Sequence, residues 1–205
     1  MKLTFSPTSP FARKVRIAAM ELGLNDEIEL VPTITTPAQA HDDYSLVTPL
    51  KKLPVLITEH GETILDSFVI IEYLNERADG NLIPAQGTRR WRVKSDHSLI
   101  NGMLDSMVLC RYEKALRPQE LQWQAWYDDQ WTRVWNGMAW FEKRSAGLMT
   151  GPLGITQIAL VCMLGYTDFR FPDCGWRKAF PGLSALDRLM QELPSVRETA
   201  PPPPA

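Results

Sequence analysis

Two short segments of this chain put chemistry-bearing side chains where the backbone can reinforce them. In residues 48–76, TPLKKLPVLITEHGETILDSFVIIEYLNE, Asp66 and Ser67 stand at the start of an apolar-periodic stretch that reads as a helix. The first N–H groups of a helix lack partners within it and the dipole there is positive. Ser67 therefore suits a carboxylate, while Asp66 suits an ammonium group. A site taking both is shaped for an α-amino-acid head, although either residue also serves as an ordinary helix cap. Upstream, Pro54 opens a strand. If the Leu53-Pro54 bond is cis, Leu53 turns its N–H and C=O outward, where an extended peptide can pair with them. Lys51 and Lys52 would then hold a second carboxylate, or else form a solvated surface pair.

A further hydroxyl, Ser9, precedes Pro10 at the start of another helical stretch. Its two roles are the N-cap of that helix and a hydrogen bond to a thiolate resting at the same positive end; the two compete for one hydroxyl. Ser6 and Thr8 are alternative donors if the loop runs differently.

These side chains need a scaffold. Lys2 to Phe5 and Glu27 to Val31 read as strands, and Pro10 to Leu22 as a helix with Phe11, Val15, Ala18, Ala19 and Leu22 on one face. A short helix is expected near Ala38 to Ser45. Pro54 to Thr58 and Thr63 to Leu65 form a hairpin through Glu59-His60-Gly61-Glu62, followed by a helix from Ser67 to Ala78. The order β-α-β-α-β-β-α gives a partly parallel sheet with an antiparallel edge, a thioredoxin-like arrangement.

Past Ala78 the strand signal stops. Helices are expected over Arg89 to Leu116, Gln119 to Arg144 and Ile155 to Leu164, the last apolar on nearly every side, with a final amphipathic helix through Leu183, Leu186, Leu189, Met190 and Leu193. The fold class is α/β plus all-α. Residues 1–78 form the small domain, 79–88 a linker, 89–199 an all-helical domain and 200–205 a proline-rich tail.

At 205 residues with 44% hydrophobic and 22% charged residues, the composition is that of a soluble globular protein. A net charge of −2 gives no basic field for nucleic acid. Cys110, Cys162 and Cys174 are widely spaced with no CxxC, which fits a reducing cytoplasm and argues against a dithiol site. His41, His60 and His97 lie in unrelated segments, so no metal site is expected. The polar, proline-rich N-terminus is unlike a signal peptide, and the longest apolar run, Ile158 to Leu164, is too short to cross a membrane.

Taken together, Ser9-Pro10-Phe11-Ala12-Arg13-Lys14, Lys52-Leu53-Pro54-Val55-Leu56, Asp66-Ser67 and ALVCMLGYTDFRFPD with Trp176 resemble the glutathione S-transferase family, specifically its bacterial serine-type members. The resemblance covers nearly the whole chain. It implies the cytosolic transferase architecture: a thioredoxin-like domain followed by a helical bundle. It implies glutathione as co-substrate, activated as a thiolate by Ser9. Leu53, beside Pro54, would pair with the cysteinyl backbone, Lys52 would face the glycyl carboxylate, and Asp66 with Ser67 would take the γ-glutamyl head. Phe11, Met107, Arg111 and Tyr112 would wall the pocket of a small electrophile. A detoxifying role and a two-fold homodimer are implied as well. Members usually open the buried sixth helix with a Ser or Thr cap and an Asp three residues on. Here Gly154 and Gln157 stand there; Gly can cap and Gln157 can still complete a capping box, so the helix is expected to form with less support.

Two other functions fit the fold. One is a glutathione-dependent peroxidase or disulfide reductase, which a cysteine in place of Ser9 would have favoured. The other is a non-catalytic protein similar to the stringent starvation proteins that bind RNA polymerase, which would have no need of Ser9, Lys52, Asp66 and Ser67.

Overall fold

The computed structural model describes residues 1–37 and 42–203. Four strands, β1 (Lys2–Phe5), β2 (Glu29–Pro32), β3 (Val55–Ile57) and β4 (Thr63–Leu65), form one sheet in the order β2-β1-β3-β4. β1 runs parallel to β2 and antiparallel to β3, with Leu3 opposite Leu30 on one side and Leu56 on the other. β3 and β4 form the expected hairpin. Its turn closes with Thr58 N–H on Glu62 C=O at 2.9 Å, and Gly61 takes the positive φ of 82° that the tight reversal requires.

Helix α1 (Pro10–Glu21) crosses from β1 to β2, and α2 (Ser67–Arg77) follows β4. The expected helix near Ala38 to Ser45 lies partly outside the described residues; residues Asp42–Leu46 form a 3-10 turn. β2 starts later than expected because Asn25–Glu27 makes a 3-10 turn first. α1 buries more than its apolar face. It packs against α2 on one side and the helical domain on the other, so Arg13 and Lys14 are buried along with Val15, Ile17 and Ala18.

The helical domain begins with α3 (Gly87–Ala115) and α4 (Gln124–Glu142), followed by α5 (Ser145–Thr150), α6 (Ile155–Arg170), α7 (Trp176–Ala179), α8 (Pro181–Met190) and α9 (Pro194–Glu198). The expected helix from Gln119 splits into a 3-10 turn, Gln119–Leu121, and α4, which opens after Trp123. Buried Glu113 fixes that break by accepting the Trp123 N–H at 2.7 Å. Between α3 and the end of α4, Asp96 and Arg144 form a two-pronged ion pair at 2.6 and 2.7 Å. α6 is the central post, buried from Ile155 through Leu164. Glu142 caps α8 from outside, accepting the N–H groups of Gly182 and Leu183 at 2.8 Å each. On α6, Asp168 accepts from the Trp176 indole at 2.8 Å and also pairs with Arg177.

The opening of α6 departs from expectation. Gln157 forms no capping box; its amide donates to the carbonyls of Leu148 and Pro152 at 3.2 and 2.9 Å. The first helical N–H, on Ile155, goes to Leu82 C=O at 3.0 Å. Gly154 permits this, because a Cβ there would crowd that carbonyl at 3.2 Å. On its other side the Leu82–Ile83 segment is held by Asn75 of α2, whose side-chain oxygen accepts both N–H groups at 2.9 and 3.3 Å. Among the described residues no helix is long and apolar enough to cross a membrane.

Candidate functional site

A cleft of about 780 Å³ opens between the sheet domain and helices α3 and α6. Ser9, Lys52, Leu53, Pro54, Asp66 and Ser67, spread over 59 residues of sequence, all line it.

Ser9 stands at the N-cap of α1 with extended backbone, and its Oγ accepts the Ala12 N–H at 3.2 Å. This uses a lone pair and leaves the hydroxyl proton available, so capping and donation to an anion do not compete, contrary to the expectation from sequence. Ser6 and Thr8 also line the cleft, but their hydroxyls bond each other at 3.1 Å.

Asp66 caps α2, its Oδ1 accepting the Phe68 N–H at 2.7 Å, with φ at 69° in a region that side chains rarely adopt. A carboxylate has a second oxygen to offer, so the cap does not exhaust it. Next to it, Ser67 is 1% exposed, yet its Oγ has no hydrogen-bond partner among the described residues. A buried hydroxyl without a partner is costly, and this one lies in the wall of a cleft at a helix start.

The Leu53-Pro54 bond is cis. Sequence reasoning missed the side chain that braces this segment. Tyr44, buried, bonds through its hydroxyl to Thr4 Oγ1 at 2.8 Å and donates to Lys52 C=O at 3.4 Å, while Thr4 Oγ1 accepts the Val55 N–H at 3.0 Å. No local pattern points to Tyr44, because its partners lie 40 residues before it and eight after.

Of the expected electrophile pocket, Phe11, Arg111 and Tyr112 line the cleft but Met107 does not. Met107 is fully buried with Ile100, Met103 and Leu104, the stripe of α3 that faces the core. The cleft-facing stripe is Asn101, Asp105, Val108 and Tyr112, spaced at i, i+4, i+7 and i+11, one residue round the helix. The opposite wall supplies Tyr166 and Arg170 of α6, two residues that sequence reasoning missed as part of the site; their i, i+4 spacing at the end of a buried helix is the available signal. Burial pushes the Asp105 carboxyl above its ordinary range, Lys52 and Lys14 pull it back, and Asp66 pushes it up again. These groups therefore share one electrostatic environment.

Behind the cleft floor, Lys14 is fully buried. Its Nζ bonds to Asn101 Oδ1 and to His97 Nε2 at 3.2 Å. Burial lowers the ammonium pKa to about 8, against Cys162, Asp66 and Asp105, which raise it. Burial, then the Lys14 charge, holds the His97 imidazole far below its ordinary value. The ring is thus neutral, and its Nε2 accepts from Lys14. Among the described residues no group of three or more His, Cys, Asp or Glu could hold a metal ion.

Comparison with known proteins agrees with this geometry. The glutathione S-transferase N-terminal domain family matches residues 8–77, and the C-terminal domain family matches residues 124–186. The uncharacterized GST-like protein YibF of Escherichia coli K12 is 30% identical over 205 residues, covering 98% of this chain and 99% of its own. A glutathione transferase family member from Pseudomonas fluorescens Pf-5, solved with bound glutathione, is 35% identical with a TM-score of 0.95 over 98% of both chains. Another structure described in the same terms, with bound S-(propanoic acid)-glutathione, gives 35% identity and 0.91 over 98% of this chain and 99% of that one.

Proposed function

Since the chain belongs to the glutathione S-transferase family, we propose that it binds glutathione in this cleft and presents it as a thiolate to a small electrophile, as a serine-type member. The observation that carries the reading is Ser67: a buried, unpartnered hydroxyl at a helix start, beside Asp66, in the cleft wall. The γ-glutamyl carboxylate completes Ser67 and the α2 N–H groups, and Asp66 takes the ammonium. Leu53 pairs with the cysteinyl backbone, next to Pro54, and Lys52 faces the glycyl carboxylate. Ser9 then donates to the sulfur. Glutathione and its thioether bound to relatives support this assignment.

A free thiol with a pKa of about 8.5 is only roughly 3% ionised at pH 7. Lowering it by about two units needs about 2.7 kcal/mol. A charge-assisted bond from Ser9, about 1.5–3 kcal/mol, together with the α1 terminus supplies that. Ionisation rises about 25-fold, but nucleophilicity falls roughly 6- to 10-fold with the lower pKa. The net gain is a few-fold, so most of the acceleration comes from holding the electrophile against the sulfur.

None of Cys110, Cys162 and Cys174 lines the cleft, so any sulfur exchange would be glutathione's own, which favours conjugation over disulfide reduction. We propose 1–78, 79–88, 89–199 and 200–205 as the domain division, with α3 opening at Gly87 in the last two residues of the linker. The protein acts in the cytoplasm as a detoxifying homodimer, a state supported by the solvent-facing Val69, Trp91 and Leu99 on α2 and α3. A monomer mass by light scattering would remove the dimer.

Calorimetry tests the site directly. Wild type should bind glutathione, and Ser67→Ala should bind it about tenfold to a hundredfold more weakly, the loss of one charge-assisted hydrogen bond. Absence of binding at millimolar glutathione would end the reading.

A further inference from the structure

We propose that the far end of the cleft is a carboxylate-binding subsite formed by Arg170 and Arg111, and that the electrophile therefore carries an acidic group. This deepens the transferase reading and rests on it.

Both guanidinium groups line the cleft, Arg111 from α3 and Arg170 from the last residue of α6. Arg170 Nε is buried with no hydrogen-bond partner among the described residues. Among the described residues neither arginine forms an ion pair. The carboxylates lining the cleft, Asp66 and Asp105, belong to the electrostatic neighbourhood of Lys14 and Lys52 instead. This leaves two cations at one end of the cleft without a counter-charge among the described residues.

A cation in the last turn of α6 also complements the helix carbonyls. That accounts for a positive side chain at position 170, but not for an Nε with no acceptor. The Arg170 guanidinium lies over the Phe169 ring at 4.0 Å, so one face is occupied; on its edge the Tyr166 phenol takes one hydrogen bond, and the Nε–H is left without an acceptor among the described residues. An edge of parallel N–H donors matches the two oxygens of a carboxylate. Burial raises the pKa of the Tyr112 and Tyr166 phenols, and the nearby Arg170 charge opposes this at both. The two phenols therefore flank the same cation, Tyr166 also accepting a hydrogen bond from it, but as neutral groups they do not compensate its charge.

4-Chloro-3-nitrobenzoate and its uncharged analogue 4-chloro-3-nitrobenzamide probe the subsite. In each, the glutathione thiolate, its proton already released to solvent, forms a C–S bond at the chlorine-bearing carbon. The C–Cl bond breaks and chloride leaves with the bonding pair. Nothing is oxidised or reduced.

The experiment measures, by calorimetry, the affinities of the acid and amide thioether products for wild type, Arg170→Gln, Arg111→Gln and Arg170→Lys, with melting curves to verify folding. Wild type should prefer the acid by about tenfold to a hundredfold, the range for one charge-assisted hydrogen bond. Arg170→Gln should bring the ratio close to one, Arg111→Gln should reduce it, and Arg170→Lys should keep part of it. Equal affinity of wild type for the two thioethers, with glutathione itself bound, overturns the subsite and leaves the transferase reading standing. Failure to bind glutathione or either thioether overturns both. A wild-type preference that persists undiminished in the folded Arg170→Gln and Arg111→Gln variants refutes the assignment to these arginines.

Discussion

Replacing Lys14 by methionine should change how stability depends on pH, and the size of that change follows from the burial of a single ammonium group. Lys14 is fully buried, and its pKa falls from the ordinary 10.5 to about 8. Between those values the folded chain binds fewer protons than the unfolded chain, so stability must rise with pH across that window. Below about pH 8 the side chain is charged in both states and the full burial penalty applies. As pH climbs past 10.5 the penalty disappears. A depression of about 2.5 units corresponds to about 3 kcal/mol in all, of which about 1.3 kcal/mol is recovered between pH 7 and pH 9. Wild type and Lys14→Met would be unfolded in urea at pH 7, 8 and 9, followed by tryptophan fluorescence. Cys110 and Cys162, whose thiols burial pushes up to about 11, act in the opposite direction in alkali; although Lys14 also acts on Cys162, both thiols stay protonated in either folded protein up to pH 9, so their effect cancels in the difference. Wild type should gain about 1.3 kcal/mol on the variant from pH 7 to pH 9. Parallel stability curves would show that Lys14 keeps an ordinary pKa and that the buried-ammonium argument is wrong.

Three further outcomes are expected. Ser9→Ala should move the alkaline-rising limb of the kcat/KM profile upward by about one to two pH units, with a penalty of about three- to tenfold at pH 6 that reverses to a several-fold advantage by pH 9, because the lost hydrogen bond favours ionisation but blunts the nucleophile; an unshifted limb would take Ser9 out of the chemistry. Arg144→Met should cost about 2–4 kcal/mol in urea unfolding, since it strands the buried Asp96 carboxylate, and Asp96→Asn with Arg144→Met should recover part of that loss. Glu142→Ala should lower stability by about 1–2 kcal/mol by baring the first N–H groups of α8, and hydrogen exchange at Gly182 and Leu183 should quicken; unchanged exchange at these two amides would contradict the capping role.

The chain's local patterns reach far into this structure, and their limits are physical. Gly61 in a polar tetrapeptide between two apolar runs identifies the β3–β4 hairpin, and Ser9-Pro10 identifies the start of α1, because turns and caps are decided within a few residues. Residues as far apart as Ser9 and Ser67 converge on one cleft because each belongs to such a local signal. Longer-range relations are hidden. Arg13 and Lys14 sit in a stretch that reads as solvent-facing, but α6 packs on that side of α1, a fact written nowhere near either residue. Met107 and Val108 are both apolar neighbours on α3, and only the direction of the core decides which one meets the cleft. Tyr166 and Arg170 lie in a helix so uniformly buried that periodicity cannot separate its outward end from the rest.

The attachment of the Leu82–Ile83 segment to Asn75 on one side and to the first amide of α6 on the other has a mechanical consequence. A connection fastened at both ends is a weld, not a joint. The two halves cannot swing apart to admit a guest without breaking it, so heating should melt them in a single transition. A chimera that replaced the helical half would need to offer an unclaimed N–H where Ile155 now stands, or the graft would lose its anchor.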